Sequence, residues 1–318
     1  MNLDKQLKVP VLTLLLLPLA LLVFGIYHGF MQTLYRAGIL NTDAVLGISY
    51  YQGLTAHGII NAVVLTTFFA VAFGHVLVTT LLGRRPNLAM VWTSLSLLVG
   101  GSLLVAGAVF AGKASVLYTF YPPMKASPVF YVGLAAFVVG SWVAFWSWIP
   151  VYLRWRREYH HEKTPLSVVG IMATFIVWQL ATLPVAYEVL VLLLPWSLGW
   201  TSGVNVVLAR TLFWFFGHPL VYFWLLPAYT MYYTMLPKLV GGELYSDVAG
   251  RFVFLAFCVL SAPLGFHHQF ADPGISAQWK AVHTVLTSLV AIPSVMTAFT
   301  VAASLELGAR RRGGKGLF

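Results

Sequence analysis

Charge is scarce in this chain. Asp, Glu, Lys and Arg make up 9% of its 318 residues, and hydrophobic residues make up 59%. A soluble domain carries about 25% charged residues, so a soluble globular protein is excluded. Acidic residues are the scarcer sign: 9 Asp and Glu face 19 Lys and Arg, a formal net charge of +10. This excess does not point to nucleic acid, because the basic residues fall in short clusters between apolar runs, as membrane topology signals do. The single cysteine, Cys258, lies inside an apolar run and excludes an intrachain disulfide. No small-residue cleavage site follows the apolar stretch that begins at Val9, so it reads as a first transmembrane helix and not a removed signal peptide. Soluble domains, long linkers and clear internal repeats are absent as well.

What the chain has is long apolar runs. Runs of about 20 residues can span a bilayer. Eight are present, near 9–34, 54–82, 88–111, 129–153, 166–194, 208–236, 252–270 and 282–307. The expected fold is an all-α polytopic transmembrane helix bundle, with 1–318 as a single transmembrane domain. Fourteen of the 19 basic residues, in clusters such as Arg84-Arg85, Arg154/Arg156/Arg157 and Arg310 to Lys315, fall on one side. Arg36, Lys113, Lys125, Arg210 and Lys280 fall on the other. The positive-inside rule makes the first side, with both termini, cytoplasmic.

Histidine is costly in hydrocarbon, and an intramembrane cluster of ionisable residues marks function. His218 lies eight residues after Arg210 on an inward-running span. His267 and His268 lie sixteen and seventeen after Arg251 on an outward-running one. At 1.5 Å per residue, depths of about 12 Å from the outer end and about 24 Å from the inner end put all three in the outer half of a core about 30 Å thick. His57 stands near the outer start of the second span. A lone histidine here is usually a packing residue, but three at one level suit a transition metal such as copper, zinc or iron. Adjacent helical residues point about 100° apart. His267 and His268 therefore share one ion only where the backbone is loosened, and Pro263 and Gly265 lie just upstream. Tyr222 follows His218 by four residues, so the two share a helix face, and a phenol beside a redox metal can supply an electron and a proton. Tyr222, Tyr229 and Tyr233 step inward at intervals of seven and four. Ser294 and Thr297 sit at mid-depth on the last span, with Thr287 and Ser288 above them. Hydroxyls both donate and accept, so this file can relay protons, although Ser and Thr also serve as ordinary helix-packing residues in membranes. Glu188 lies in the fifth span and is either functional or paired. His28, His75 and His283 lie near span ends, where interfacial solvation is the simpler account.

His218-Pro-Leu-Val-Tyr222, with His267-His268 in Gly-Phe-His-His-Gln-Phe-Ala-Asp-Pro-Gly, resembles subunit I of haem–copper oxygen reductases. The likeness extends through Thr-Leu-Phe-Trp at 211–214, Trp-Leu-Leu-Pro-Ala-Tyr at 224–229 and Met-Thr-Ala-Phe-Thr at 296–300. It implies that His218, His267 and His268 bind one copper ion, and that Tyr222 is covalently joined to His218. It implies too that His57, in Thr-Ala-His-Gly, is an axial ligand of a low-spin haem of b type. Leu220, where many members of the main branch carry glutamate, and Tyr-Pro-Pro at 121–123 look like the B-type branch. Tyr229, Tyr233, Ser294 and Thr297 then match its single cytoplasmic proton channel. Nitric oxide reductases share the architecture but lack the tyrosine.

The implied function is that of a terminal respiratory oxidase. It reduces O2 to water with proton uptake from the cytoplasmic side and coupled proton translocation, in a prokaryotic plasma membrane. Implied partners are O2, membrane lipid, subunit II with its electron-donor site, and cytochrome c or a similar donor, with no nucleic acid. The family has twelve or more spans, and a later His-x-His motif that ligates a high-spin haem and the second side of the low-spin haem. That motif is absent here, so the chain is expected to be an N-terminal portion supplying the copper ligands and one haem ligand. The competing expectations are a truncated non-catalytic fragment and a membrane metal transporter or sensor.

Overall fold

The computed structural model describes residues 4–40, 44, 45 and 47–311. Arg312 and Lys315, counted above as topology signals, lie outside them. Seven helices among the described residues are long and apolar enough to cross a membrane by length and composition. They are α1 (Lys8–Arg36), α2 (Tyr50–Leu82), α3 (Leu88–Phe110), α4 (Pro128–Glu158), α5 (Leu166–Ser197), α6 (Val206–Leu239) and α8 (Ala277–Arg311), with α7 (Asp247–Leu260) between the last two. A two-residue hairpin, Ala44–Val45 with Ile48–Ser49, is the only strand pairing among the described residues. Large apolar side chains face outward along the helices, as on α1, where Val9, Leu12, Leu16 and Val23 are exposed. That pattern suits a protein whose solvent is lipid. The chain is a multi-pass integral membrane protein.

The expected span at 252–270 departs from a single helix. Its α-helix, α7, has 14 residues and ends at Leu260; the chain then breaks and makes a 3-10 turn over Phe266–Gln269. Pro263 lacks a backbone donor and Gly265 a side chain, so the ladder does not continue through them. A Cβ at Gly265 would stand 3.0 Å from Phe215 N, so glycine lets this break lie against α6. A depth measured at 1.5 Å per residue therefore holds only as far as Leu260.

The chain divides into two compact units. One holds the described residues through Arg154 and Val185–Phe213; the other holds Trp155–Pro184 and the described residues from Trp214 onward. In the first, α1 packs along α2. α3 meets α4 through small residues: Cβ atoms at Gly101 and Gly133 would clash with the opposite backbone. Close backbone approach of this kind carries helix association in lipid, where burial drives little. Ser94 Oγ donates to Gly140 O at 2.7 Å across the same seam, an interhelical bond of about 0.6 kcal/mol. Trp148 of α4 seats on Gly74 of α2 and donates from Nε1 to His75 Nδ1 at 3.0 Å. In the second unit α7 packs along α8, and Trp178 of α5 stacks on Phe223 of α6 at 4.2 Å between ring centroids.

Candidate metal centre and haem-ligand site

Three histidines separated by up to 50 residues meet in the second unit. One ligand nitrogen from each of His218, His267 and His268 lies within 4.8 Å of the others. Metal–imidazole bonds are about 2.0–2.1 Å, so small ring rotations bring all three around one ion. The 3-10 turn at Phe266–Gln269 provides the loosened backbone that the adjacent pair requires. His268 Nε2 lies 3.3 Å from His218 Nδ1, and His218 Nε2 is buried without a hydrogen-bond partner. The His218 ring stands edge-on to Tyr222, with centroids 4.9 Å apart at 72°.

The other two histidines are braced from outside the cluster. Trp214, one turn before His218 on α6, stacks flat on His268 at 4.0 Å and 7°. Thr287 Oγ1 donates to His283 O at 2.6 Å and lies 3.0 Å from His267 Nδ1. A hydroxyl has one proton, so Thr287 accepts from His267 Nδ1–H, and His267 turns Nε2 toward the cluster. An outer-shell bond of this kind fixes tautomer and ring direction, and its loss costs about 10–100-fold in metal affinity. Thr287→Val is expected to weaken metal binding at the three histidines by that amount without unfolding the protein, as read by metal competition with a chelator.

The hydroxyl file is partly joined. Tyr233 and Thr297 hydroxyls lie 2.6 Å apart, and Thr297 Oγ1 also bonds Pro293 O at 2.9 Å. Tyr222, Tyr229 and Tyr233 are all buried, with the Tyr229 and Tyr233 rings 6.5 Å apart. Ser294 is half-buried, one turn before Thr297.

His57 lies in the first unit, on α2. Its Nδ1 is 2.8 Å from Gly25 O and 3.0 Å from the Asn61 amide. A Cβ at Gly29 would come within 2.5 Å of His57 Cε1, so the glycine leaves room for the ring. Directly after it, α2 switches to a π turn over Ile59–Val64, a feature common at functional sites. Beside His57, Tyr118 of the loop at 111–127 packs over Gly58, and burial pushes its phenol above the ordinary tyrosine value.

Other residues differ from their expected settings. His28, His75 and His283 are not interfacially solvated: they are 3%, 0% and 2% exposed, packed inside protein. Glu188 is fully buried at the start of a second π turn, Glu188–Leu193, and neither carboxyl oxygen has a hydrogen-bond partner. Trp214 and Asn61 were not singled out as site residues from the sequence. Their signal was positional, four residues before His218 and four after His57, on the same helix faces.

The profile of the family described as cytochrome c and quinol oxidase polypeptide I matches residues 9–313. The chain belongs to this family. It is 50% identical over 270 residues to cytochrome c oxidase subunit 1 of Thermus thermophilus, covering 85% of this chain and 48% of that protein. It is 27% identical over 306 residues to the heme-copper oxidase subunit I+III of Aeropyrum pernix, covering 90% of this chain and 37% of that protein. A solved heme-copper terminal oxidase dimer superposes with a TM-score of 0.95 at 50% identity, over 98% of this chain and 54% of that one. The chain thus spans about half the length of the first and last of these relatives and 37% of the second. The polytopic α-helical bundle expected from the sequence agrees with this likeness, as does the expected kinship with haem–copper oxidases. The family binds haem and copper, and the residues here fit both groups: three convergent imidazoles for the metal, and an imidazole held by its Nδ1 beside a glycine cradle for the haem.

Proposed function

We propose that this chain is the copper-bearing part of subunit I of a B-type terminal oxidase that reduces O2 to water. His218, His267 and His268 would hold one copper ion, and His57 would hold the low-spin haem, of b type. No residue of the chain is assigned to the high-spin haem. When bound, these groups supply the transfer of electrons to dioxygen. Cytochrome c or a similar donor would deliver those electrons through subunit II.

The observation that carries the reading is Tyr222, edge-on to His218 at the mouth of a hydroxyl file. A metal transporter needs the imidazoles but has no use for a buried phenol beside them. Tyr222 gives a proton and an electron at the cluster, and His218 Nε2, buried and unpaired, is the ring atom available for a covalent link to it. Tyr229 and the Tyr233–Thr297 pair, with Ser294, return protons from the cytoplasmic side of a prokaryotic plasma membrane, and the positive-inside bias supports both termini lying on that side. Leu220 stands where a second proton route would need a carboxyl group, which supports the B-type assignment. Coupled proton translocation is part of the proposal.

The test is a reduced-minus-oxidised visible spectrum of the full-length protein that contains this chain, together with oxygen consumption. Haem bands and oxygen uptake are expected; metal flux with no haem bands rejects the proposal. Tyr233→Phe and Thr297→Val each remove one hydroxyl of the 2.6 Å pair. Each is expected to slow turnover by at least about tenfold, since positioned proton transfer contributes about 10²–10⁴-fold. Copper content is expected to stay unchanged, with stopped-flow proton uptake as the readout.

A further inference from the structure

Reading His57 as a haem ligand leaves its second ring nitrogen to be explained. Nδ1 lies 2.8 Å from Gly25 O. A carbonyl only accepts, so Nδ1 carries the proton and Nε2 is the nitrogen free to ligate. The Asn61 amide is placed with its nitrogen, Nδ2, 3.0 Å from the same Nδ1, and the opposite direction of the amide fits the same side-chain position. With its NH2 toward the ring, the amide would set donor against donor and leave its oxygen buried without a partner. With its oxygen toward the ring, it accepts a share of the Nδ1 proton; amide direction follows from the network around it.

Three features of the backbone hold this arrangement. Asn61 follows His57 by four residues and sits inside the π turn Ile59–Val64, which sets the amide's position relative to the ring. A Cβ at Gly25 would come within 2.5 Å of the Asn61 amide, and one at Gly29 within 2.5 Å of the His57 ring. Two glycines four apart on α1 thus admit ring and amide side by side. The amide has no other hydrogen bond given by the structure.

We propose that Asn61 is a positioning residue for the low-spin haem: with Gly25 O it accepts the Nδ1 proton of His57 and strengthens Nε2 as an electron donor to the iron. The proposal rests on the reading of His57 as a haem ligand. Acceptors on the outer nitrogen of a ligating imidazole raise its basicity, and a more basic ligand favours the oxidised metal.

The experiment uses the haem-loaded holoenzyme with Asn61→Asp, which keeps the size of asparagine, and Asn61→Leu, which keeps its branching. At a fixed applied potential, the ratio of reduced to oxidised low-spin haem is expected to fall several-fold in Asn61→Asp and to rise several-fold in Asn61→Leu. The largest electron paramagnetic resonance g-value of the oxidised haem is expected to move down in the first and up in the second. An unchanged ratio and g-value in Asn61→Asp overturn the proposal, as does a shift of both variants in one direction, which marks altered packing. If Asn61→Leu fails to retain haem, Asn61→Asp alone decides. His57→Ala separates this from the reading beneath it. Loss of the low-spin absorption with copper retained is expected, and a low-spin spectrum that survives His57→Ala overturns the ligand assignment itself.

Discussion

Tyr222→Phe is expected to cut oxygen reduction by about a thousandfold, within the 10²–10⁴-fold range of a positioned proton donor, while the protein still assembles. The substitution removes one hydroxyl and, with it, the proposed covalent link to His218. The ring is buried and packs against Phe257 at 5.0 Å and His218 at 4.9 Å between centroids, and phenylalanine keeps both contacts. Copper content and helical content should therefore match the parent. An oxygen electrode, metal analysis and circular dichroism on the same preparation check the three claims together. Undiminished oxygen reduction would reject the role given to Tyr222 and, with it, the feature that separates an oxidase from a metal transporter here.

His218→Ala is expected to lower bound copper from about one ion per chain to less than a tenth of that, and to abolish oxygen reduction. His218 is the member that ties the cluster together: its ring lies 4.2 Å from His267 and 5.4 Å from His268 between centroids. Without it, two neighbouring imidazoles from one short turn remain, and two ligands do not hold a transition metal against competition. The loss should exceed the 10–100-fold expected for Thr287→Val, which removes only a supporting bond. His57 lies on another helix, so the low-spin haem absorption should persist. Copper retained at full occupancy would show that the three imidazoles are not a copper site.

The sequence carried most of what these experiments need. Hydrophobic length marks eight runs, and seven of them are helices long enough to cross hydrocarbon; the eighth, 252–270, breaks after Leu260, which length alone does not reveal. The i, i+4 relation of His218 and Tyr222 is a property of any helix, so their edge-on meeting was legible before folding. The His267–His268 pair was legible as a demand for broken backbone, and Pro263 and Gly265 marked where the break falls. Burial was less legible. His28, His75 and His283 were read as interfacial from their nearness to apolar-run ends. A side chain's surroundings, however, are set by its neighbours in space: Trp148, 73 residues from His75, seats over Gly74 and takes the imidazole's Nδ1.

By itself, then, the sequence determined a membrane helix bundle, the three histidines, the tyrosine and the family they resemble, because these follow from local periodicity, composition and motif. Only the tertiary structure decided that the three imidazoles converge, that Trp214 and Thr287 brace two of them, and that Gly25, Gly29 and Asn61 fix His57. Each of these is a contact between turns or helices whose register depends on small residues letting backbones approach, and no single stretch of sequence specifies that.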